Sequence, residues 1–199
     1  MQRFKSSAAF PSGAFYLIGN YAVVGEECFG RGIMMKNMVV LIGMPGAGKS
    51  TVGVVLAKKL GCRFVDSDLV IQERYGRLLH ELIRERGVEG FWQLENDVNA
   101  SLGGEGCVIA TGGSAVYGRE AMERFREKGT VVYLKLSCGE LEKRLGDLNQ
   151  RGVTLRPGQT LKDLYEERCP LYEKYAHRTV ECGEKMLREI VDEIAGGLK

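Results

Sequence analysis

Histidine is nearly absent from this chain, and the two present, His80 and His177, have no partner pattern. They read as surface or satisfied structural residues. The six cysteines, Cys28, Cys62, Cys107, Cys138, Cys169 and Cys182, stand at wide intervals with no Cys-x-x-Cys pair. That spacing argues against a metal knuckle and for reduced, structural thiols in a cytoplasmic protein, with Cys107 and Cys169 as small core fillers. A strong charge of either sign is also missing. The formal net charge is +2, so neither a nucleic acid nor a membrane is an expected partner, and any local group of arginines calls for a local ligand. What is present is enough for one full core: 199 residues, 44% of them hydrophobic and 27% charged, predict one compact globular domain, and a monomer is expected.

The first thirty-odd residues differ from the rest. FKSSAAFPSGAFYLIGNYAVVGEECFGRG holds no sustained helical or strand period, and Pro11, Gly13, Gly19 and Asn20 break its apolar run where a signal peptide needs continuity. Residues 1–34 are expected to be a non-native or disordered extension, translated from upstream of a natural start at Met34 or Met35, and residues 35–199 the working domain.

From Asn37 the character changes. MVVLIG (Met38 to Gly43) is a short β-branched apolar run of the kind buried on both faces of a parallel sheet. It leads directly into GMPGAGKST and then a helical pattern, TVGVVLAKKLG, closed by Gly61. Strand, glycine-rich loop and helix are the context a phosphate-binding loop requires, where an ordinary βα turn needs only the glycines. Gly43, Gly46 and Gly48 let backbone N–H groups point at phosphate oxygens, together with Ala47 and Thr51, and the helix N-terminus adds partial positive charge. Lys49 is positioned for the β and γ phosphates of ATP and Ser50 for Mg²⁺.

CRFVDSDLV (Cys62 to Val70) reads as a second strand ending in two carboxylates, with alternation placing Asp66 and Asp68 on one side and Ser67 on the other. At the carboxyl end of a parallel strand they face the crevice where α/β sheets bind ligands, although two solvated turn aspartates have the same spelling. GCVIATGGSAVY (Gly106 to Tyr117) is a third strand breaking into Thr111-Gly112-Gly113-Ser114, where missing side chains admit a ligand to the backbone. TVVYLKL (Thr130 to Leu136) is a fourth strand, followed by a helix around ELEKRL. The polar stretch Gly146 to Thr160, with Arg151 and Arg156, is long for a compact domain and is expected to be a lid or a disordered insert.

In this order the motifs resemble the shikimate kinase family of nucleoside monophosphate kinase-like P-loop proteins. The resemblance implies a three-layer P-loop fold with a five-stranded parallel sheet of order 2-3-1-4-5 and a lid loop. It also implies transfer of the γ-phosphate of ATP to a hydroxyl of shikimate. Within it, GMPGAGKST resembles the phosphate loop, VDSD the Asp-x-Asp with Asp66 on the metal side and Asp68 on the substrate hydroxyls as base, and TGGS the substrate-contacting glycine triplet. LRP resembles the lid motif, giving Arg156 a phosphate-facing role; Arg151 matches the lid arginine associated with adenine. RCPLY resembles the motif whose arginine, here Arg168, grips the shikimate carboxylate. The Asp-Gly-x-Pro-Arg motif of the adenylate kinase group is absent, with prolines only at positions 11, 45, 157 and 170.

Two departures fall on the acceptor side. Where the family carries Phe-Arg-x-x-Glu this chain has Phe91-Trp92-Gln93-Leu94-Glu95, and the glycine triplet ends in Ser114. A kinase of another small hydroxylated acid such as a sugar acid, and a nucleotide-binding regulator without an acceptor, therefore stand beside shikimate kinase. Phe91, Leu94 and Val98 have core spacing, which puts Trp92 and Glu95 on a neighbouring line. Trp92 is either core or a wall of the acceptor site, where an indole offers a flat face and an N–H donor.

Overall fold

The computed structural model describes residues 16–18, 21–23, 38–145, 154, 156 and 158–198. The chain divides into two compact units, Met1–Ile33 and Met34–Lys199. In the first, Tyr16–Ile18 pairs antiparallel with Tyr21–Val23.

The second unit is built on five parallel strands: β1 Met38–Ile42, β2 Arg63–Asp66, β3 Cys107–Ala110, β4 Gly129–Lys135 and β5 Arg178–Glu181. Their spatial order is β2-β3-β1-β4-β5, the expected 2-3-1-4-5. Every residue of β1 and β3 is buried, as their unbroken apolar runs require of central strands covered on both faces.

Among the described residues seven α-helices complete the layers. Helix α1 is Lys49–Leu60, α2 Ser67–Tyr75, α3 Leu79–Ser101, α4 Arg119–Lys128, α5 Cys138–Leu145, α6 Leu161–Tyr175 and α7 Leu187–Gly196. Gly87, at φ 70° and ψ 176°, interrupts α3. Gly61 ends α1 in the left-handed conformation, with its N–H on the carbonyls of Ala57 and Lys58. None of the described helices is long and apolar enough to cross a membrane.

Handedness places the site. The β1–α1–β2 connection moves one way along the sheet, and β2 to β3, β3 to β4 and β4 to β5 all move the other way. Because such crossovers are right-handed, α1 lies on one face and α2 to α6 on the other. Helix packing agrees: α1 contacts α7, whereas α3 packs on α4 and α4 on α6. Neighbouring β1 and β3 thus send their chains to opposite faces, opening a crevice at their carboxyl ends. Thr111, just past β3, spans its mouth by donating from both N (3.2 Å) and Oγ1 (3.0 Å) to the Leu41 carbonyl of β1.

The main core lines the sheet, and a smaller one, Ile71, Leu82, Phe91, Leu94 and Val98, joins α2 to α3. At the turn out of β1, Gly43 has φ +146°, and a Cβ there would stand 2.7 Å from the Leu134 carbonyl oxygen of β4. Backbone on both sides leaves nothing to yield. Gly43→Ala should cost about 1–3 kcal/mol of stability, read as a lower urea midpoint at unchanged slope.

Candidate active site

The phosphate-loop letters fold as their spacing dictates. Gly46 and Gly48 take φ of 80° and 90°, and Gly48 caps α1 without a side chain to occupy the first-turn donors. Pro45, Gly46, Gly48, Lys49, Ser50 and Thr51 form one wall of a cavity of about 580 Å³ at the crevice. Gly43 and Ala47 are buried behind that wall. Lys49 Nζ donates to the carbonyls of Gly43 (2.8 Å) and Met44 (2.9 Å). Burial lowers its pKa to about 8, with Arg168 adding to the fall and Asp68, Glu95 and Asp66 opposing it.

The carboxylate pair is arranged by a cap rather than by strand alternation. Strand β2 stops at Asp66, and α2 begins at Ser67 because Asp66 Oδ1 accepts the Asp68 N–H at 3.1 Å as an N-cap. Asp68 therefore stands in the first turn of a helix. Ser67, expected to point away, is fully buried, and its Oγ accepts the Gly112 N–H at 3.1 Å, tying α2 to the glycine turn. Asp68 lines the cavity and Asp66 does not. Burial, then the charge of Asp66, lifts the Asp68 pKa to about 6 against the pull of Lys49.

The third wall is Thr111-Gly112-Gly113-Ser114. A Cβ on Gly112 would lie 2.2 Å from Glu95 Oε1 and 2.8 Å from Asp68 Oδ1, and one on Gly113 would lie 2.8 Å from the Pro45 ring. The two glycines are required by close approach of side chains as well as by any ligand. Tyr172 OH fixes the turn by donating to the Gly113 carbonyl at 2.5 Å.

Arg168, from α6, closes the cavity while only 1% exposed. Its Nη2 donates to Thr154 Oγ1 (2.6 Å) and Thr154 O (3.1 Å), and its Nε to Tyr117 OH (3.2 Å), which in turn donates to Glu167 Oε1 (2.7 Å). Trp92 lines a neighbouring cavity of about 850 Å³ between α3 and α4, with Gln93, Asn96 and Tyr117. It touches the first one's wall through Nε1, which donates to Thr154 Oγ1 at 3.4 Å. Arg156 is exposed; it pairs with Glu167 (3.4 Å) and Glu89 (3.6 Å) and sits 5.0 Å over the Trp92 ring, outside the lining of the first cavity. Arg151 lies outside the described residues.

The cavity thus brings together Gly46, Gly48, Lys49, Ser50, Thr51, Asp68, Gly112, Gly113, Ser114 and Arg168. Sequence reasoning missed Thr154 and Glu95. Glu95 is 1% exposed and lies with the buried Phe91, Leu94 and Val98 rather than on a separate line; a glutamate at that apolar spacing was the available signal. Neither of its oxygens has a hydrogen-bond partner among the described residues. Burial and then Asp68 raise its pKa to about 7, with Ser114, Arg168 and Lys49 opposing. His177 is structural, as expected: its Nδ1 accepts the Val131 N–H at 3.0 Å.

Comparison with known proteins agrees with this geometry. The model of the family described as shikimate kinase matches residues 45–199. A shikimate kinase of Vibrio parahaemolyticus is 39% identical over 165 residues, covering 80% of this chain and 94% of that one. A structure of shikimate kinase from Acinetobacter baumannii in complex with shikimate superposes with a TM-score of 0.73 at 33% identity, covering 81% of this chain and 92% of that one. The Aquifex aeolicus shikimate kinase structure gives a TM-score of 0.70 at 33% identity, covering 81% and 95%.

Glu95 makes stability depend on pH. Its folded pKa, about 7, exceeds the ordinary 4.5, so the folded state keeps a proton that the unfolded chain releases. Stability from this group is whole below pH 4.5 and lost as pH rises through 7. Glu95→Gln removes the titration at nearly constant volume. It should stabilise the protein at pH 8 by about 3 kcal/mol, at about 1.4 kcal/mol per pH unit of displacement, and hardly at all at pH 4. Melting temperatures at the two pH values check this.

Proposed function

The chain belongs to the shikimate kinase family, and from that premise we propose that it transfers the γ-phosphate of ATP to a hydroxyl of shikimate, giving 3-phosphoshikimate and ADP. The observation that carries the reading is the meeting, in one cavity at the β1/β3 crevice, of a phosphate-loop lysine, a carboxylate and a buried arginine: Lys49, Asp68 and Arg168.

Each residue has a chemical part. The turn Gly43 to Gly48 and the first turn of α1, through Ser50 and Thr51, hold the phosphates by backbone N–H groups and hydroxyls. Lys49 exchanges its two loop carbonyls for the β and γ phosphates and meets the charge that develops during transfer. Asp68 accepts the proton of the attacking hydroxyl as the new O–P bond forms and the bond to the ADP oxygen breaks. Gly112, Gly113 and Ser114 receive the ring of the acceptor, Arg168 its carboxylate, and Trp92 borders that subsite. Arg156 and Arg151 belong to the lid segment, Arg156 turning from Glu167 and Glu89 toward phosphate and Arg151 toward adenine.

The residues present fit Mg²⁺, which takes few protein oxygens and keeps waters and substrate phosphates as its other ligands. Ser50 offers a hydroxyl at the cavity and Asp66 a carboxylate beside Asp68. When bound, Mg²⁺ neutralises phosphate charge.

One observation favours a second acceptor class: with tryptophan at position 92, Arg168 is the single buried arginine among the described residues to meet a carboxylate. Coupled ADP-release assays with shikimate, other hydroxy acids and a no-acceptor control separate the two. We also propose that residues 35–199 carry the activity, as a cytoplasmic monomer.

Lys49→Met should lower turnover by about a hundredfold or more without loss of fold, since methionine fills a buried lysine's stem. Full activity in that variant overturns the phosphotransfer reading. Asp68→Asn should cut turnover by about 10²–10⁴ with ATP affinity nearly unchanged. A chain beginning at Met35 should match the full chain in turnover and melting temperature; a drop of several degrees would show that the preceding segment packs on the domain.

A further inference from the structure

Thr154 is 3% exposed, yet it lines the cavity. Two side chains reach its hydroxyl oxygen, Arg168 through Nη2 at 2.6 Å and Trp92 through Nε1 at 3.4 Å. Both are obligate donors: a guanidinium has five N–H groups and no acceptor, and an indole nitrogen only donates. A threonine hydroxyl has two lone pairs and one proton. With both lone pairs engaged the proton must point elsewhere, and among the described residues no acceptor takes it. Thr154 lines the cavity, so a ligand there is within reach of that proton.

Arg168 is committed in the same way. Its Nε and Nη2 serve Tyr117 and Thr154, whereas Nη1 has no hydrogen-bond partner among the described residues and stands 3.2 Å from where a Gly113 Cβ would be. One wall of the cavity therefore presents two donors with no acceptor among the described residues, a guanidinium N–H pair and a hydroxyl. Carboxylate is the group such a wall suits, one oxygen for each donor.

We propose that Thr154 is a specificity-determining residue for a carboxylate-bearing acceptor, donating its hydroxyl proton beside Arg168, and that Trp92 is a positioning residue that acts through Thr154. The proposal rests on the small-acid kinase reading and extends it to residues with no assigned part. A donor-only group at position 92, whether indole or guanidinium, leaves the threonine proton free, where an acceptor side chain would capture it.

The test is calorimetric binding of shikimate and of its uncharged methyl ester to the full chain. A hydrogen bond to a charged group sets the scale. Thr154→Val, which keeps the shape, should weaken shikimate about tenfold and the ester less than about twofold, and Thr154→Ser should restore the acid. Trp92→Phe, which keeps the ring stack on Tyr117, should weaken shikimate severalfold in the unmutated background and add nothing on top of Thr154→Val. Equal weakening of acid and ester, or no rescue by serine, makes Thr154 a packing residue and overturns the proposal. Additive effects of the two substitutions overturn the part given to Trp92. Shikimate binding without phosphorylated product counts against the proposed reaction alone, and no shikimate binding by the unmutated chain counts against both.

Discussion

Four ionisable side chains, Lys49, Asp68, Glu95 and Arg168, share the space around one glycine turn, and the site depends on their being buried together. Each affects the protonation of another: Asp68, Glu95 and Arg168 all act on Lys49, and Asp68, Arg168 and Lys49 all act on Glu95. An isolated buried charge is expensive, whereas two cations and two acids around one point offset much of that cost. The balance is uneven. Among the described residues Arg168 makes three hydrogen bonds and Lys49 two, but Glu95 makes none. The proton Glu95 keeps to about pH 7 is the consequence: neutrality is cheaper than a second bare carboxylate beside Asp68.

Such crowding is possible only where the backbone carries no side chain. Gly112 lies between the carboxylates of Asp68 and Glu95, and Gly113 between Pro45 and Arg168. The turn is held from three directions, by Thr111 on β1, Ser67 at the start of α2 and Tyr172 from α6. Each of those elements also carries or adjoins a functional group: the phosphate loop follows β1, Asp68 is in α2 and Arg168 is in α6. Fixing the turn therefore fixes the spacing of the phosphate loop, Asp68 and Arg168 without a contact between those groups.

How much of this was legible depended on how local the cause was. The phosphate loop was readable because strand, glycines and helix are contiguous in sequence and each imposes its own geometry. Asp66 and Asp68 were found, but for the wrong geometric reason: alternation assumes that the strand continues through Asp68, and the Asp66 cap ends it two residues earlier. The fifth strand, RTVE, has one buried residue in four, too little apolar pattern to be seen, and its existence came from resemblance alone. Glu95 was not legible as a site residue, because a carboxylate beside an apolar stripe looks like a helix surface until Asp68 of α2 is brought close to it. Thr154 was invisible, since the residues that give its hydroxyl a direction lie 62 positions before it and 14 after it.

Position 92 shows how a change of residue type can leave the logic of a site intact. Trp92 stacks on Tyr117 with ring centroids 4.0 Å apart and donates to Thr154. Those are the two side chains that hold Arg168, through Nε and Nη2. One rigid aromatic group thus braces both arms of the clamp on the remaining arginine, and ordering that arginine before the acceptor arrives removes an entropy cost from binding. A second arginine would supply charge directly, at the cost of burying another cation near Lys49 and Arg168. The indole supplies no charge, but it leaves Arg168 held and the buried charges balanced, so on the proposed reading the loss at position 92 falls on the strength of carboxylate binding more than on its direction.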